Sequence, residues 1–277
     1  MRGNPRQCNG RATAGRPARL ASELSDAEGN GDKTKHVQRA RRSAGFLAVP
    51  RLVCQGAFRA LFATARVTNL RMPPLIDPSI ERVLAEFERR AEEEQRRTNF
   101  GAPGTNLDDL LLSVGREAGI LLYLLASGAG SRRILELGTS YGYSTVWLAA
   151  AARITGGKVF SLELRDFKIE HARQALTRAG LSTRVEFHEG DCLDTLKNLP
   201  GPFDFVLLDV WKDLYLPCFE LVHPKLAPNA IIVADNMLLP EIVRPQAEAY
   251  RARVRQAGDL DSVLLEVGNG IEISRKR

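Results

Sequence analysis

The stretch RRILELGTSYGYSTVWLAAAARITGGKVFSLEL (residues 132–164) contains one strand–helix–strand unit and decides the fold class. Its two ends, RRILELG and KVFSLEL, are short apolar runs bounded by turn residues, which predicts buried strands. The segment between them, STVWLAAAARI, predicts a helix. Two strands joined through a helix are typical of a parallel sheet.

The same alternation continues along the chain. Further helices are predicted at FKIEHARQALTRAG (167–180), CLDTLKNL (192–199), LYLPCFELVHPKL (214–226) and EIVRPQAEAYRARVRQA (241–257), with strands at RVEFHEG (184–190), FDFVLLD (203–209) and AIIVADN (230–236). The last two runs, SVLLEVG and GIEISRK, are separated by the turn residues Asn269 and Gly270, which predicts an antiparallel hairpin. Five strand–helix units and this hairpin predict an α/β fold, a doubly wound Rossmann-like sheet that is mostly parallel with an antiparallel C-terminal hairpin strand.

The N-terminal segment differs from the rest of the chain in charge. Residues 1–71 hold 14 Lys/Arg against 4 Asp/Glu, so the net charge of +6 originates there and residues 72–277 are mildly acidic. Little periodicity precedes residue 44, which predicts a disordered basic extension over 1–71 and leaves open whether it is native to the fold. The apolar piece 45–70 resembles a targeting helix, but the acidic residues upstream of it favour the extension. An acidic folded part argues against a nucleic-acid-binding face.

Helices are predicted within residues 78–127, at the start of a domain that spans 72–277. The segment 76–97 places Ile80, Val83, Leu84 and Phe87 on one stripe of an amphipathic helix. The segment 105–128 predicts further helix that begins at an Asn106 or Thr105 cap.

The spacing of the cysteines and the hydropathy of the chain bear on where in the cell the protein is expected. Cys8, Cys54, Cys192 and Cys218 show neither metal-ligand nor disulfide-framework spacing, so we expect free thiols and a cytoplasmic protein. No apolar run has the length needed to span a bilayer, so no membrane partner is expected.

Glycines follow the first predicted strand, in LELGTSYGYST (135–145). Gly138 and Gly142 are spaced G-x-x-x-G, which is not the dinucleotide-binding pattern. Gly138 permits a tight turn and a close ligand, and Ser144 offers a hydroxyl near the helix start. Glu163 ends the second strand, where an acid can bind a ribose diol. A glycine turn after a strand is more often only a turn, so this loop alone does not establish a cofactor site.

Oxygen-bearing side chains end two other strands. Asp209 follows FDFVLL, and Asp235 with Asn236 follows AIIVA. The carboxyl ends of parallel strands meet at one crevice, and an all-oxygen set there suits Mg²⁺. No His or Cys joins the set, which disfavours zinc.

Three motifs together resemble a known family. ELGTSYGYSTVWLA, LLDVWKDLYLP and VADNMLLP are similar to the cofactor, metal and base motifs of the class I S-adenosylmethionine-dependent methyltransferases, and most of all to the cation-dependent catechol O-methyltransferase-like family. The resemblance covers about residues 75–277. It implies S-adenosyl-L-methionine and Mg²⁺ (or Mn²⁺) as cofactors, and a small hydroxylated acceptor, a catechol-like vicinal diol or phenol. The cofactor contacts that it implies are Val114, Glu136, Gly138, Ser144, Glu163, Asp191, Cys192 and Asp209; the implied metal ligands are Asp209, Asp235 and Asn236.

Lys212 lies three residues after Asp209 and is the expected catalytic base. Most lysines are solvated and idle, but a neighbouring divalent cation disfavours the ammonium form and lets the amine take a proton. Trp211 and Pro240 are expected to wall the acceptor slot, with ordinary packing as the alternative. The acid that holds the second hydroxyl in the catechol enzyme would fall near Val263, where Asp261 or Glu266 could substitute.

A second function class remains open: a protein or nucleic-acid methyltransferase recruited by the basic tail. The chain has no N-P-P-Y tetrapeptide of amino-methylating enzymes. We therefore expect a small-molecule partner and no nucleic acid, and leave a homodimer open.

Overall fold

One mixed sheet organises the computed structural model, which describes residues 76–97 and 106–277. Its seven strands within those ranges are β1 (Arg133–Leu137), β2 (Lys158–Glu163), β3 (Val185–Glu189), β4 (Phe203–Leu208), β5 (Leu226–Ala234), β6 (Leu260–Leu265) and β7 (Ile271–Lys276). The order is β3-β2-β1-β4-β5-β7-β6. Strands β1 to β5 are parallel, whereas β7 is antiparallel to both β5 and β6. The predicted doubly wound sheet with an antiparallel hairpin strand is confirmed.

Helices cover both faces of this sheet. They are α1 (Pro78–Arg97), α2 (Arg116–Gly128), α3 (Tyr143–Thr155), α4 (Asp166–Arg178), α5 (Cys192–Asn198), α6 (Tyr215–Val222) and α7 (Arg244–Gln256). Helices α1 to α4 contribute to the apolar cluster on one face, and α5 to α7 to the cluster on the other. Successive residues of β1 serve the two clusters, because strand side chains alternate between faces: Ile134 joins the first, Leu135 the second. The predicted stripe on α1 packs into the first cluster.

The strand order places a crevice at the carboxyl ends of β1 and β4. The chain runs outward from β1 to β2 and β3, and then returns to the other side of β1 with β4. Open α/β sheets bind ligands where the order reverses, outside the carboxyl ends of the strands. A ligand site that follows this rule would lie above Leu137, Leu208 and Ala234.

The predicted helix over 105–128 is wrong in its first half. Asn106 caps only a short 3-10 turn (Leu107–Asp109), and α2 begins at Arg116. Between them Leu112 and Gly115 have φ values of 46° and 83°, which an α-helix does not accommodate. The other candidate cap, Thr105, lies outside the described residues.

The predicted helix over 214–226 is also too long. Helix α6 ends at Val222, a 3-10 turn covers His223–Lys225, and β5 begins at Leu226, four residues before its predicted start. Pro224 lacks the amide hydrogen that would continue the helix. Pro228 and Asn229 hid the early part of β5, since both residue types are rare in strands.

Two further expectations concern the N-terminal segment and membranes. The basic extension over 1–71, with its apolar piece 45–70 and with Cys8 and Cys54, lies outside the described residues. Within 76–97 and 106–277, no helix is both long and apolar enough to cross a membrane.

Candidate active site

Gly138 brings the ends of β1 and β4 into contact. Its φ is 95°, in the left-handed region that favours glycine. The amide of Asp209 donates to the carbonyl of Leu137 at 2.9 Å. A Cβ on Gly138 would lie 2.1 Å from the carbonyl oxygen of Asp209, so any other residue would force the two strand ends apart.

The second glycine of the loop has a different role. Gly142, at φ 100°, stands immediately before α3. A Cβ there would lie 2.7 Å from the Cβ of Ala172 on α4. The two glycines of the G-x-x-x-G spacing therefore allow two close contacts: Gly138 with the end of β4, and Gly142 with α4.

Glu136 is buried beneath this loop and its carboxylate accepts three hydroxyl hydrogen bonds. Ser144 and Thr145 each donate at 2.7 Å, and Ser161 donates at 2.5 Å. Burial raises the pKa of Glu136 to about 7 although the three hydroxyls oppose the shift. The proton of Ser144 thus goes to Glu136, which ties β1 and β2 to the start of α3. The roles of Thr145 and Ser161 were not predicted from the sequence. A hydroxyl residue within an otherwise apolar run could have indicated a buried hydrogen bond.

Glu163 faces the loop from the end of β2. Its Oε2 accepts from the amide of Ser140 at 2.8 Å, and its Oε1 accepts from the amides of Leu164 and Arg165 at 2.9 and 3.1 Å. A carboxylate offers about four lone-pair positions, so Glu163 retains room to accept a ribose hydroxyl.

Asp191 and Cys192 lie next to the end of β2, because the amide of Gly190 donates to the carbonyl of Glu163 at 2.9 Å. Asp191 caps α5, accepting from the amides of Leu193 and Asp194 at 2.8 and 3.2 Å. The Sγ atoms of Cys192 and Cys218 lie 3.7 Å apart. The hydrogen bond from Cys218 lowers the pKa of Cys192.

Val114 belongs to the irregular segment 110–115, which covers the glycine loop. The hydroxyl of Ser140 donates to the carbonyl of Leu111 at 3.2 Å. The side chain of Val114 is buried, and its carbonyl faces the hairpin turn at Gly268. The structure therefore brings Val114 to the same edge of the sheet as Gly138.

The two carboxylates Asp209 and Asp235 end neighbouring strands. The amide of Asp235 donates to the carbonyl of Leu208 at 3.2 Å. Asp235 is 3% exposed, and its Oδ1 has no hydrogen-bond partner among the described residues. Burial, and then the charge of Asp209, raise the pKa of Asp235 to about 7. Burial also raises the pKa of Asp209, against the opposing charge of Lys212. A buried acid with one unsatisfied oxygen, beside the partly buried carboxylate of Asp209, favours further positive charge.

Asn236 follows directly and has a φ of 52°. The loop after it is held by the hairpin turn: Met237 donates to the carbonyl of Gly270 at 2.9 Å, and Leu238 to that of Asn269 at 2.9 Å. Two carboxylates and one amide form a set that suits Mg²⁺ when water or substrate oxygens complete the shell. In the described parts of the chain no three His, Cys, Asp or Glu side chains group as metal ligands, so any fit depends on the Asn236 amide.

Lys212 reaches the same crevice from the turn after β4. Its side chain is 9% exposed, and its Nζ lies 3.9 Å from Oδ1 of Asp209. The Nζ donates to the carbonyl of Val210 at 3.3 Å and to the hydroxyl of Tyr215. Burial lowers the pKa of Lys212, while Asp209 and Asp235 oppose the shift. The structure thus brings a largely buried amine beside the acidic pair.

Tyr215 was missed at the sequence level. It is fully buried at the start of α6, three residues after Lys212, a spacing at which side chains on a helical turn are neighbours. The three-residue spacing between Lys212 and Tyr215 could have indicated this contact from the sequence.

Exposed apolar side chains follow both strand-end acids along the chain. Trp211 is 56% exposed and Leu239, next to the exposed Pro240, is 48% exposed. Of the two candidate acids, Asp261 pairs in register with Arg275, level with Ile231 and away from the carboxyl edge. Its carboxylate lies 3.7 Å from Arg277. Only Glu266, just after β6, lies at the edge that carries Asp235.

A family model described as "Methyltransferase domain" matches residues 135–237. These residues run from the glycine loop to the loop after β5, and so include Gly138, Glu163, Lys212 and Asp235.

Individual relatives agree with this match. The chain is 40% identical over 154 residues to a catechol O-methyltransferase of Mycobacterium tuberculosis, covering 53% of this chain and 70% of that protein. It is 36% identical over 131 residues to a catechol O-methyltransferase of Niastella koreensis, covering 46% of this chain and 59% of that one. The crystal structure of an O-methyltransferase from Bacillus cereus in complex with SAH has a TM-score of 0.56 and 26% identity, and covers 76% of this chain and 95% of its own.

Proposed function

Because the chain belongs to the class I S-adenosylmethionine-dependent O-methyltransferases of the catechol O-methyltransferase-like type, we propose that its acceptor is a catechol-like vicinal diol or phenol and that its activity requires Mg²⁺ or Mn²⁺. The relatives named catechol O-methyltransferase support the acceptor class. The SAH-bound structure supports S-adenosyl-L-methionine as the methyl donor.

One observation carries the metal requirement: Oδ1 of Asp235 is buried and without a partner among the described residues, close to the partly buried carboxylate of Asp209. An unsatisfied buried charge is costly unless a cation compensates it. Asp209, Asp235 and the amide of Asn236 would hold Mg²⁺, which would lower the pKa of an acceptor hydroxyl.

The donor would lie over the glycine loop. Gly138 leaves the backbone open to close approach, and Glu163 would accept hydrogen bonds from the ribose hydroxyls. Asp191 and Cys192 would flank the adenine, and Val114 would cover the methionine part. Glu136 and Ser144 would act from beneath, by fixing the loop through their hydrogen bond.

Lys212 would remove the proton from the acceptor hydroxyl. Its amine is largely buried beside Asp209 and its pKa is lowered by that burial, which favours the neutral base. The acceptor oxygen would then form a bond to the sulfonium methyl carbon as the carbon–sulfur bond breaks, giving S-adenosylhomocysteine. The site would contribute mainly by positioning two bound reactants, an effect that reduces a barrier substantially.

The acceptor slot would favour a flat apolar ring. Trp211, which follows Asp209, and Leu239 with Pro240, which follow Asp235, are exposed apolar side chains near in sequence to the acidic pair. An aromatic ring stacked on Trp211 would place its hydroxyls toward Asp235. Glu266 would be the group nearest to a second hydroxyl.

The proposal is tested by supplying labelled S-adenosylmethionine and Mg²⁺ with a panel of catechols, flavonoids and caffeoyl esters. We expect methyl transfer to vicinal diols, and slower transfer to the matched monomethyl ethers, which are phenols with a single free hydroxyl and chelate a cation less well. The same panel is run on a chain without residues 1–71, which should be equally active. Inactivity on every small acceptor, together with methylation of protein or nucleic acid that requires residues 1–71, would contradict the proposal.

A further inference from the structure

The hydroxyl of Tyr215 lies at the junction of the two strands that carry the acidic pair. It contacts the carbonyl of Leu208 at 2.9 Å and the carbonyl of Asp235 at 3.1 Å, and it accepts a hydrogen bond from Nζ of Lys212. These three partners come from the end of β4, the residue after β5 and the proposed base. One buried hydroxyl therefore links the proposed base to the backbone at the ends of the two strands that carry the acidic pair.

The proton count of these groups fixes their roles. A tyrosine hydroxyl has one proton to donate and can also accept, whereas a backbone carbonyl only accepts. The proton of Tyr215 must therefore be directed at the carbonyls of Leu208 and Asp235. Its oxygen is left to accept from Lys212, so the tyrosine acts on the lysine as an acceptor.

Counting the N–H groups and lone pair of Lys212 shows how its contact with Tyr215 orients the amine. In the neutral form that the proposed function requires of a base, the amine of Lys212 has two N–H bonds and one lone pair. The carbonyl of Val210, at 3.3 Å, and the hydroxyl of Tyr215 accept the two N–H groups. With both engaged, the lone pair is directed at the remaining side of the nitrogen.

The ring of Tyr215 is well placed to hold this arrangement. It is fully buried, and it packs edge-to-face against Tyr250 with ring centroids 5.7 Å apart. Nζ of Lys212 lies 4.1 Å from the centroid of the same ring. A ring held on these sides keeps its hydroxyl in one place, so the lysine has a fixed anchor.

We propose that Tyr215 is a positioning residue of this site: its hydroxyl orients the amine of Lys212 toward the acceptor oxygen, while it clamps together the ends of β4 and β5. The inference rests on the proposed function, in which Lys212 is the base. Tyr215 itself touches neither acceptor nor donor in this arrangement.

The test compares Tyr215→Phe with Tyr250→Phe. Tyr250 is the matched control, because it is equally buried, its ring contacts that of Tyr215, and its hydroxyl has no hydrogen-bond partner among the described residues. We expect Tyr215→Phe to lower kcat on catechol by roughly 10- to 100-fold, the scale of a misplaced catalytic group, with KM changed by less than about threefold. Tyr250→Phe should leave kcat within about threefold of the wild type.

Comparing two acceptors of different acidity distinguishes a misoriented base from general damage to the site. On a nitrocatechol, which is already ionised near neutral pH, the loss in Tyr215→Phe should shrink, since no base is needed. An equal loss on both acceptors, or equal losses in the two tyrosine variants, would overturn the proposal.

A readout independent of catalysis completes the test. Reductive methylation of Lys212, followed by mass spectrometry on the folded chains, should proceed faster in Tyr215→Phe than in the wild type or in Tyr250→Phe, because the amine loses an acceptor. An unchanged labelling rate would overturn the proposal even if the variant were unstable. A wild type inactive on every acceptor would instead contradict the proposed function, and the labelling rate would still decide whether Tyr215 holds the lysine.

Discussion

Gly138 and Asp209 are so close that a Cβ on the glycine would lie 2.1 Å from the carbonyl oxygen of the aspartate. This contact joins the loop that would carry the donor to the residue that begins the proposed metal and base motif. The two halves of the proposed site are therefore in direct backbone contact at the carboxyl edge of the sheet, and a substitution at Gly138 should alter both.

The first prediction concerns this contact. Gly138→Ala should abolish binding of S-adenosylmethionine, because the new methyl group forces the loop away from β4. Gly130→Ala is the control, since Gly130 also has a positive φ, 68°, but a Cβ there meets nothing within 4 Å. Both variants carry backbone strain of about 1–2 kcal/mol, and only Gly138→Ala adds a clash. Thermal melts and titration calorimetry measure the two effects; equal behaviour of the variants would contradict the argument.

The alternation of apolar runs was sufficient to predict the sheet, the direction of its strands and the terminal hairpin, since each run had clear turn residues at its ends. It failed at 110–115, where Leu112 and Gly115 leave helical geometry although the letters LLLSVG favour a helix. The strand-end acids were predictable because parallel strands align their carboxyl ends. The hydroxyl partners of Glu136 and the tyrosine that contacts Lys212 were not predictable from the sequence. A hydroxyl inside an apolar run can be assigned a hydrogen-bond partner only when the fold is known.

The second prediction concerns the cation. Asp235→Ala should remove binding of Mn²⁺ or Mg²⁺ and should abolish methyl transfer, because it deletes the unsatisfied carboxylate oxygen. Asp261→Ala is the control, since Asp261 lies away from the carboxyl edge. Calorimetric titration with each cation measures binding, and chelator followed by added Mg²⁺ tests activity. Full activity of the wild type in excess EDTA would remove the metal from the mechanism.

The third prediction concerns the ribose. Glu163→Gln should weaken S-adenosylmethionine binding by about 1.5–3 kcal/mol, the usual worth of a hydrogen bond to a charged group. Glu170→Gln removes the same charge from an exposed position on α4 and should have no effect. Calorimetry gives both affinities. An unchanged affinity for Glu163→Gln would show that the carboxylate serves only the amides of Ser140, Leu164 and Arg165.

The fourth prediction concerns Glu136 and pH. Its pKa is raised from 4.5 to about 7 in the folded chain, so between these values the folded state holds a proton that the unfolded state has lost. Stability should therefore fall as pH rises through that window, by about 3 kcal/mol in total from this group. Glu136→Gln cannot titrate, so its free energy of unfolding should decline less between pH 5 and pH 8. Urea unfolding at both pH values measures this, and an identical decline in both chains would contradict the burial argument.

In the proposed mechanism Lys212, held beside Asp209 at the carboxyl edge of the sheet, takes the proton of the acceptor hydroxyl. The most direct measurement is kcat of Lys212→Ala and of the wild type on catechol and on a nitrocatechol, with Lys212→Arg alongside. For Lys212→Ala we expect a loss of roughly 10²- to 10⁴-fold on catechol and a much smaller loss on the nitrocatechol. We expect no rescue by arginine, which does not give up its proton. Equal losses on the two acceptors, or restored activity in Lys212→Arg, would contradict proton transfer to Lys212.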